Sequence, residues 1–298
     1  MRTRTRTFIT HILLACLGPG FVTPGLANDI ESVLIVSIDA LHPAALGEKT
    51  SPTLYALMQA GQFTLNGRSV NPPKTLIAHT AMITGQSPAR NGKRDNEWIP
   101  GEARVSHLTV FDDARRRGFR TAFYFAKPRL GYLVSNAVDE HALAPHDGIE
   151  RVRDFFHAEG RRLAFLHISG LDFVGPESGW LSPDYLDELT EIDAALAPLI
   201  NDVRQRGFHA IVVTSDHAGH QKLHGTGHPE DYRLPLILLS NAGHLPRSLP
   251  QPWPVTNLRG LVRSLLPRRQ LQSSGMPSQK ESPSPLRRTA APTALAGD

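Results

Sequence analysis

Five short runs of this chain are apolar at nearly every position: SVLIVSI (32–38), RTAFYFA (120–126), RLAFLHIS (162–169), HAIVVTS (209–215) and LPLILLS (234–240). Strands that bury both faces read this way, because neither side of the pleat meets water. The intervening stretches SPTLYALMQAG (51–61), VSHLTVFDDARRRG (105–118), DGIERVRDFFHAEG (147–160) and SPDYLDELTEIDAALAPLINDVRQRG (182–207) predict helices. The last opens on Ser182 as N-cap with Pro183 at the first helical position, and it closes at Gly207. Strands alternating with helices imply parallel βαβ units, hence a three-layer α/β/α sandwich around a mainly parallel sheet.

The two ends of the 298-residue chain break this pattern. Residues 1–27 combine Arg2, Arg4 and Arg6 with an apolar stretch too short and too interrupted by Gly and Pro to span a membrane. They read as a secretory signal with a small-residue cleavage point after Ala27, so a periplasmic or secreted protein is expected. Residues 267–298 are rich in Pro, Ser and Arg and are expected to be a disordered tail. That leaves 28–266 as one catalytic-sized domain.

Charge follows the same division. Each end carries a formal +3 of the total +4, so residues 7–266 carry −2. A folded body of that sign gives no indication of a nucleic-acid-binding surface. Cys16 is the only cysteine and lies within the leader, so a mature chain offers no disulfide, no thiol nucleophile and no thiolate ligand. The sequence leaves the oligomeric state open.

In parallel sheets, ligand chemistry gathers beyond the carboxyl ends of the strands. The first strand ends in Ile38-Asp39, the 162–169 strand runs into Gly170-Leu171-Asp172, and the 209–215 strand ends in Ser215-Asp216-His217. One aspartate after a strand is ordinarily a turn former or helix cap. Three, with the His-rich segment TSDHAGHQKLHGTGHPED (214–231) following one of them, point to a metal centre. Thr75, after Asn71-Pro72-Pro73-Lys74, opens a further predicted helix whose free N–H groups would favour an anion such as phosphate. Read alone, Thr75 is more simply an N-cap than a nucleophile.

TLIAHTAMITG with Pro88, the SIDA strand end, LDFVGPESGW followed by SPDYL, and TSDH with a later HG occur in an order that resembles the alkaline phosphatase superfamily, in its type I phosphodiesterase/nucleotide pyrophosphatase branch. The resemblance covers about Val33 to Ser240. It implies an alkaline-phosphatase-like fold and a secreted phosphoric-ester hydrolase that acts on a small phosphorylated substrate through a phosphothreonine on Thr75. Two divalent ions, zinc by preference, are implied: one held by Asp39, Asp216 and His217 against Thr75, the other by Asp172 and His224. Asn96 matches the residue that binds a phosphate oxygen. Lys74 and His79 flank the nucleophile without an assigned role. A sulfatase is not expected, since oxidation of threonine cannot give the required product.

At one position the chain departs from this pattern: Pro176 stands where the branch has a histidine ligand. Either Glu177, His220 or His228 replaces it, or the second ion is weakly held and open to manganese, or the chain is a catalytically impaired member that binds a phosphorylated ligand. Phosphomonoesterase and phosphonate hydrolase activities remain alternatives on the same scaffold.

Overall fold

A computed structural model describes residues 29–242 and 245–267. The expected leader at 1–27, and the expected tail apart from Pro267, lie outside the described residues.

The strands are β1 (Ser32–Ile38), β2 (Gln62–Arg68), β3 (Arg120–Phe125), β4 (Glu140–Leu143), β5 (Arg162–Ile168), β6 (His209–Thr214), β7 (Arg233–Ser240) and β8 (Trp253–Pro254). They form a single sheet in the order β4-β3-β5-β1-β6-β7-β2-β8. The helices are α1 (Pro52–Ala60), α2 (Thr75–Thr84), α3 (Pro88–Asn91), α4 (Val110–Arg115), α5 (Gly148–His157), α6 (Gly170–Ser178), α7 (Pro183–Arg204) and α8 (Asn257–Leu265).

The continuous apolar strands divide their side chains between two layers. From β1, Val33 and Ile35 join Leu76, Phe111 and Val262 of α2, α4 and α8 in one core. Leu34, Val36 and Ile38 join Leu54, Phe156 and Leu196 of α1, α5 and α7 in the other. This is the expected three-layer α/β/α arrangement, and all seven residues of β1 are buried. Helix α2 packs so deeply that its ten residues are all buried, which explains why TLIAHTAMIT is apolar all round rather than striped.

Two local expectations change. LPLILLS forms β7, which runs antiparallel to both β6 and β2. Residues 215–232 return the chain without a crossover helix, so the next strand must run the other way. The helix expected over 105–118 is confined to Val110–Arg115, because the Thr109 N–H donates to the Asp112 carboxylate (2.7 Å) and starts the helix there. LDFVGPES, which the sequence pattern did not assign to an element, is helix α6 with Pro176 inside it.

Candidate metal centre

Strands β3, β5, β1 and β6 are adjacent and parallel, and each delivers a polar residue beyond its carboxyl end: Lys127, Asp172, Asp39, and Asp216 with His217. Parallel register brings these ends level, with Ser37 of β1 beside both His167 of β5 and Thr214 of β6.

Asp39 is turned into the site by an irregular backbone. Ala40 takes a left-handed conformation (φ +66°), a small cost for a residue with a Cβ. Its carbonyl accepts from the Tyr185 hydroxyl (2.7 Å) and Trp180 Nε1 (3.2 Å), while the Tyr185 oxygen accepts from His42 N–H (2.9 Å). The Ala40 N–H in turn donates to Asp216 Oδ1 (3.3 Å). Fully buried Asp39 also accepts from His167 Nε2 (3.0 Å). The Ala126 N–H donates to His167 Nδ1 (3.2 Å), which fixes the tautomer that carries its proton on Nε2.

His217 is fixed in the opposite sense. Its Nδ1 donates to the Ala218 carbonyl (3.0 Å), leaving the Nε2 lone pair free. Nε2 stands 3.3 Å from Asp39 Oδ1 and 3.5 Å from Asp216 Oδ2. All three atoms are buried without a hydrogen-bond partner. Buried polar atoms are nearly always satisfied, and tetrahedral donors about 2.0–2.1 Å from a cation lie about 3.3–3.4 Å apart, so this trio fits a divalent ion such as zinc. Its electrostatics agree. Burial pushes the Asp216 carboxyl upward, and neighbouring Asp39 adds to the effect. Burial alone would depress His217, but the Asp216, Asp39 and Asp172 carboxylates raise it to about 10. The cluster carries more negative charge than it can neutralise with its own imidazoles.

Asp172, in the first turn of α6, forms a second group with His217 and His224. Its Oδ1 lies 3.7 Å from each imidazole Nε2 and is also unpartnered. The His217 and His224 rings stack at 4.7 Å, and Trp180 meets His224 edge-on at 5.5 Å. Yet one imidazole nitrogen has a single lone pair and serves one cation. With His217 spent on Asp39 and Asp216, this group keeps only Asp172 and His224.

None of the three candidates to replace the missing ligand joins that pair. His220 Nδ1 bonds Asp231 Oδ1 (2.7 Å) and stacks on His228 (3.8 Å), making a separate His220/His228/Asp231 cluster. Pro176 and Glu177 are exposed. What reaches the locus instead is Lys127, whose ammonium contacts Asp39 Oδ2 (2.6 Å), Asp172 Oδ2 and Thr75 Oγ1 (3.3 Å). Sequence reading missed Lys127 and His167. The strand-end rule that found the aspartates, extended to RTAFYFA, reaches Lys127 one residue further on.

Thr75, 3% exposed, begins α2, and its Oγ1 donates to Asp39 Oδ2 at 3.5 Å. Lys74 holds the N-cap position without a side-chain cap bond. Asn96 Oδ1 accepts the Leu76 N–H (2.8 Å), so its –NH2 end remains for another acceptor. His79 is a core residue: Nδ1 donates to the Thr75 carbonyl (2.8 Å), Nε2 accepts from Ser37 (2.9 Å), and burial holds its pKa at about 4.

A helix N-terminus bearing a hydroxyl beside clustered carboxylate and imidazole donors, at the carboxyl edge of a central parallel sheet, defines an α/β protein with a candidate metal centre. The type I phosphodiesterase/nucleotide pyrophosphatase family matches residues 33–251, and the chain belongs to it. GPI ethanolamine phosphate transferase 1 of Neurospora crassa is 33% identical over 118 residues, covering 34% of this chain but only 12% of that protein. Among solved structures, murine ectonucleotide pyrophosphatase/phosphodiesterase 5, as an inactive threonine-to-alanine variant with AMP, superposes with a TM-score of 0.53 at 18% identity, over 63% of this chain and 57% of that one. The C-terminal periplasmic domain of the Escherichia coli phosphoethanolamine transferase EptC, in complex with Zn, does so with a TM-score of 0.57 at 13% identity, over 78% and 82%. These structural likenesses are likenesses of the alkaline-phosphatase-like fold. No helix among the described residues is long and apolar enough to cross a membrane.

Proposed function

We propose that the chain cleaves phosphoric esters outside the cytoplasm, with Thr75 as nucleophile and water as the final acceptor. The observation that carries this reading is Thr75 Oγ1 at the start of buried α2, within hydrogen-bonding reach of Asp39, whose other oxygen joins Asp216 and His217 in a partnerless donor trio.

A divalent ion held by Asp39, Asp216 and His217, with zinc suited to this mixed set, would make the Thr75 hydroxyl acidic enough to attack phosphorus. The residues of the chain do the rest. The N–H groups of the first turn of α2 and the –NH2 of Asn96 meet the equatorial oxygens as charge builds on them. Thr75 takes the phosphoryl group and the leaving alcohol departs, giving a phosphothreonine that water then hydrolyses. His167 holds Asp39 in orientation throughout.

A second reading, transfer of the group to an alcohol instead of water, is favoured by the 33% identical stretch shared with an ethanolamine phosphate transferase. A panel of p-nitrophenyl phosphate, its thymidine 5'-monophosphate ester and bis-p-nitrophenyl phosphate, assayed with and without ethanolamine or glycerol, separates the two. Hydrolysis releases p-nitrophenol whatever the alcohol, whereas a transferase also yields the alcohol's ester. Rapid acid quench and peptide mass spectrometry should find the phosphoryl group on Thr75. Turnover without that adduct in the wild type, and undiminished in Thr75→Ala, would refute the reading.

A further inference from the structure

Two departures meet at one place in the centre. Pro176 stands where the family has an imidazole near Asp172, and the Lys127 ammonium contacts Asp172 Oδ2 while His224 Nε2 is nearest the other oxygen, Oδ1. Lys127 is not a surface cation that happens to bend inward. It lies two residues beyond the end of β3, its side chain is only 11% exposed, and the 3-10 turn Pro128–Leu133 begins at the next residue. Its ammonium lies 6.0 Å from the Phe173 ring centroid, within cation–π range. It therefore approaches from the same sheet edge as the three aspartates, with its stem sheltered and its charge delivered to the interior.

We propose that this is a one-metal centre in which the Lys127 ammonium takes the place of a second divalent ion. The inference rests on the reading above and deepens it. Charge balance favours it: Asp39, Asp172 and Asp216 bring three negative charges, and one divalent ion with one ammonium neutralises them. A second ion beside the ammonium would leave an excess of two positive charges in a buried site, which is costly. Donor supply agrees, because Asp172 and His224 give two ligands where catalytic zinc ordinarily has three from protein. The position also suits catalysis. At 3.3 Å from Thr75 Oγ1, the ammonium presents a fixed positive charge beside the attacking oxygen and the incoming phosphoryl group. A lysine acts there as a point charge that needs no loading.

The test is metal stoichiometry, read by native mass spectrometry and calorimetry on apo protein titrated with Zn²⁺ or Mn²⁺, with no activity measurement needed. Wild type is expected to take one equivalent tightly, any second binding at least about a hundredfold more weakly. Lys127→Arg should keep a stoichiometry of one. Lys127→Met, particularly with Pro176→His, should take two, because the released carboxylate oxygens and a restored imidazole complete the second set. Should Lys127→Met fail to fold by circular dichroism, the wild-type and Lys127→Arg titrations still decide. Two tight equivalents in wild type would overturn the inference while leaving the phosphothreonine reading standing, and so would a folded Lys127→Met, Pro176→His variant that takes only one. Wild type binding no ion at all would remove both.

Discussion

At the scale of single residues, the site depends on which atom of each side chain is left over. His217 spends Nδ1 on a backbone carbonyl and keeps Nε2, whereas His167 receives a backbone N–H on Nδ1 and gives Nε2 to Asp39. The same residue type thus offers an unpartnered nitrogen in one place and is an orienting donor in the other. Because Thr75 supplies the hydroxyl at the start of α2, Thr75→Ala is expected to lower kcat more than tenfold, about 1.4 kcal/mol or more in barrier height, with circular dichroism and metal content unchanged. A variant that keeps over a tenth of wild-type turnover would remove Thr75 from the mechanism. Asp216→Asn keeps the shape of a ligand but loses its charge, and it should lose the tight ion. Equal metal content in wild type and variant after dialysis, read by plasma mass spectrometry, would count against the donor trio.

Helix and strand junctions supply the precision of the site. The left-handed turn at Ala40 is held by Tyr185, near the start of α7, and by Trp180, just before it, so two side chains from a distant helix region aim the carboxyl end of β1. Trp180 reaches that position because Gly175 and Gly219 leave room for its ring; a Cβ on Gly175 would lie 2.8 Å from it. Tyr185→Phe deletes the acceptor of the His42 N–H and one donor to Ala40, a buried loss of about 1–3 kcal/mol. Its denaturation midpoint should fall accordingly, and kcat should fall as Asp39 loses its aim. A midpoint and rate both equal to wild type would show that Trp180 alone holds the turn. Helix α1 is likewise capped from afar: Ser51 makes no side-chain cap bond, and Asp193 of α7 accepts the Thr53 and Leu54 N–H groups, both at 2.8 Å. Pro198 sits inside α7 without ending it, since Leu196, Leu199 and Ile200 stay packed in the core on either side.

For the whole molecule, the consequence is linkage between metal and stability. The buried carboxylates of Asp39 and Asp216 and the part-buried one of Asp172 crowd one locus. An ion bound there at a hundred times its Kd stabilises the fold by about 2.7 kcal/mol. In a domain of this size that corresponds to a rise in Tm of roughly 5–10 °C. Scanning fluorimetry with chelator and then with excess Zn²⁺ should show such a rise in wild type and little in Asp216→Asn. A Tm indifferent to both additions would mean that the cluster is balanced without an ion.

The chain by itself determined the layers. Short continuous apolar runs rich in β-branched and aromatic residues, alternating with helix-length stretches, read as strands covered on both faces, and they marked the five principal strands and the fold class. It left β2, β4 and β8 unseen, because QFTLNGR exposes Phe63, Asn66 and Arg68 without a regular period, EHAL is four residues with only half-buried and exposed positions, and Trp253–Pro254 is too short to show a period. The sequence also named Asp39, Asp172, Asp216 with His217, and Thr75, since acids after strands and a hydroxyl at a helix start are visible locally, whereas His224 was singled out of its His-rich segment only by the family resemblance. Only the tertiary structure showed which of their atoms lie together. His224 and His220 are four residues apart, yet one stacks on His217 while the other bonds Asp231. Lys127 is 45 residues from Asp172 and touches it. Periodicity reports how a residue faces its own element, whereas the pairing of charges across a sheet edge depends on strand order, which no local pattern encodes.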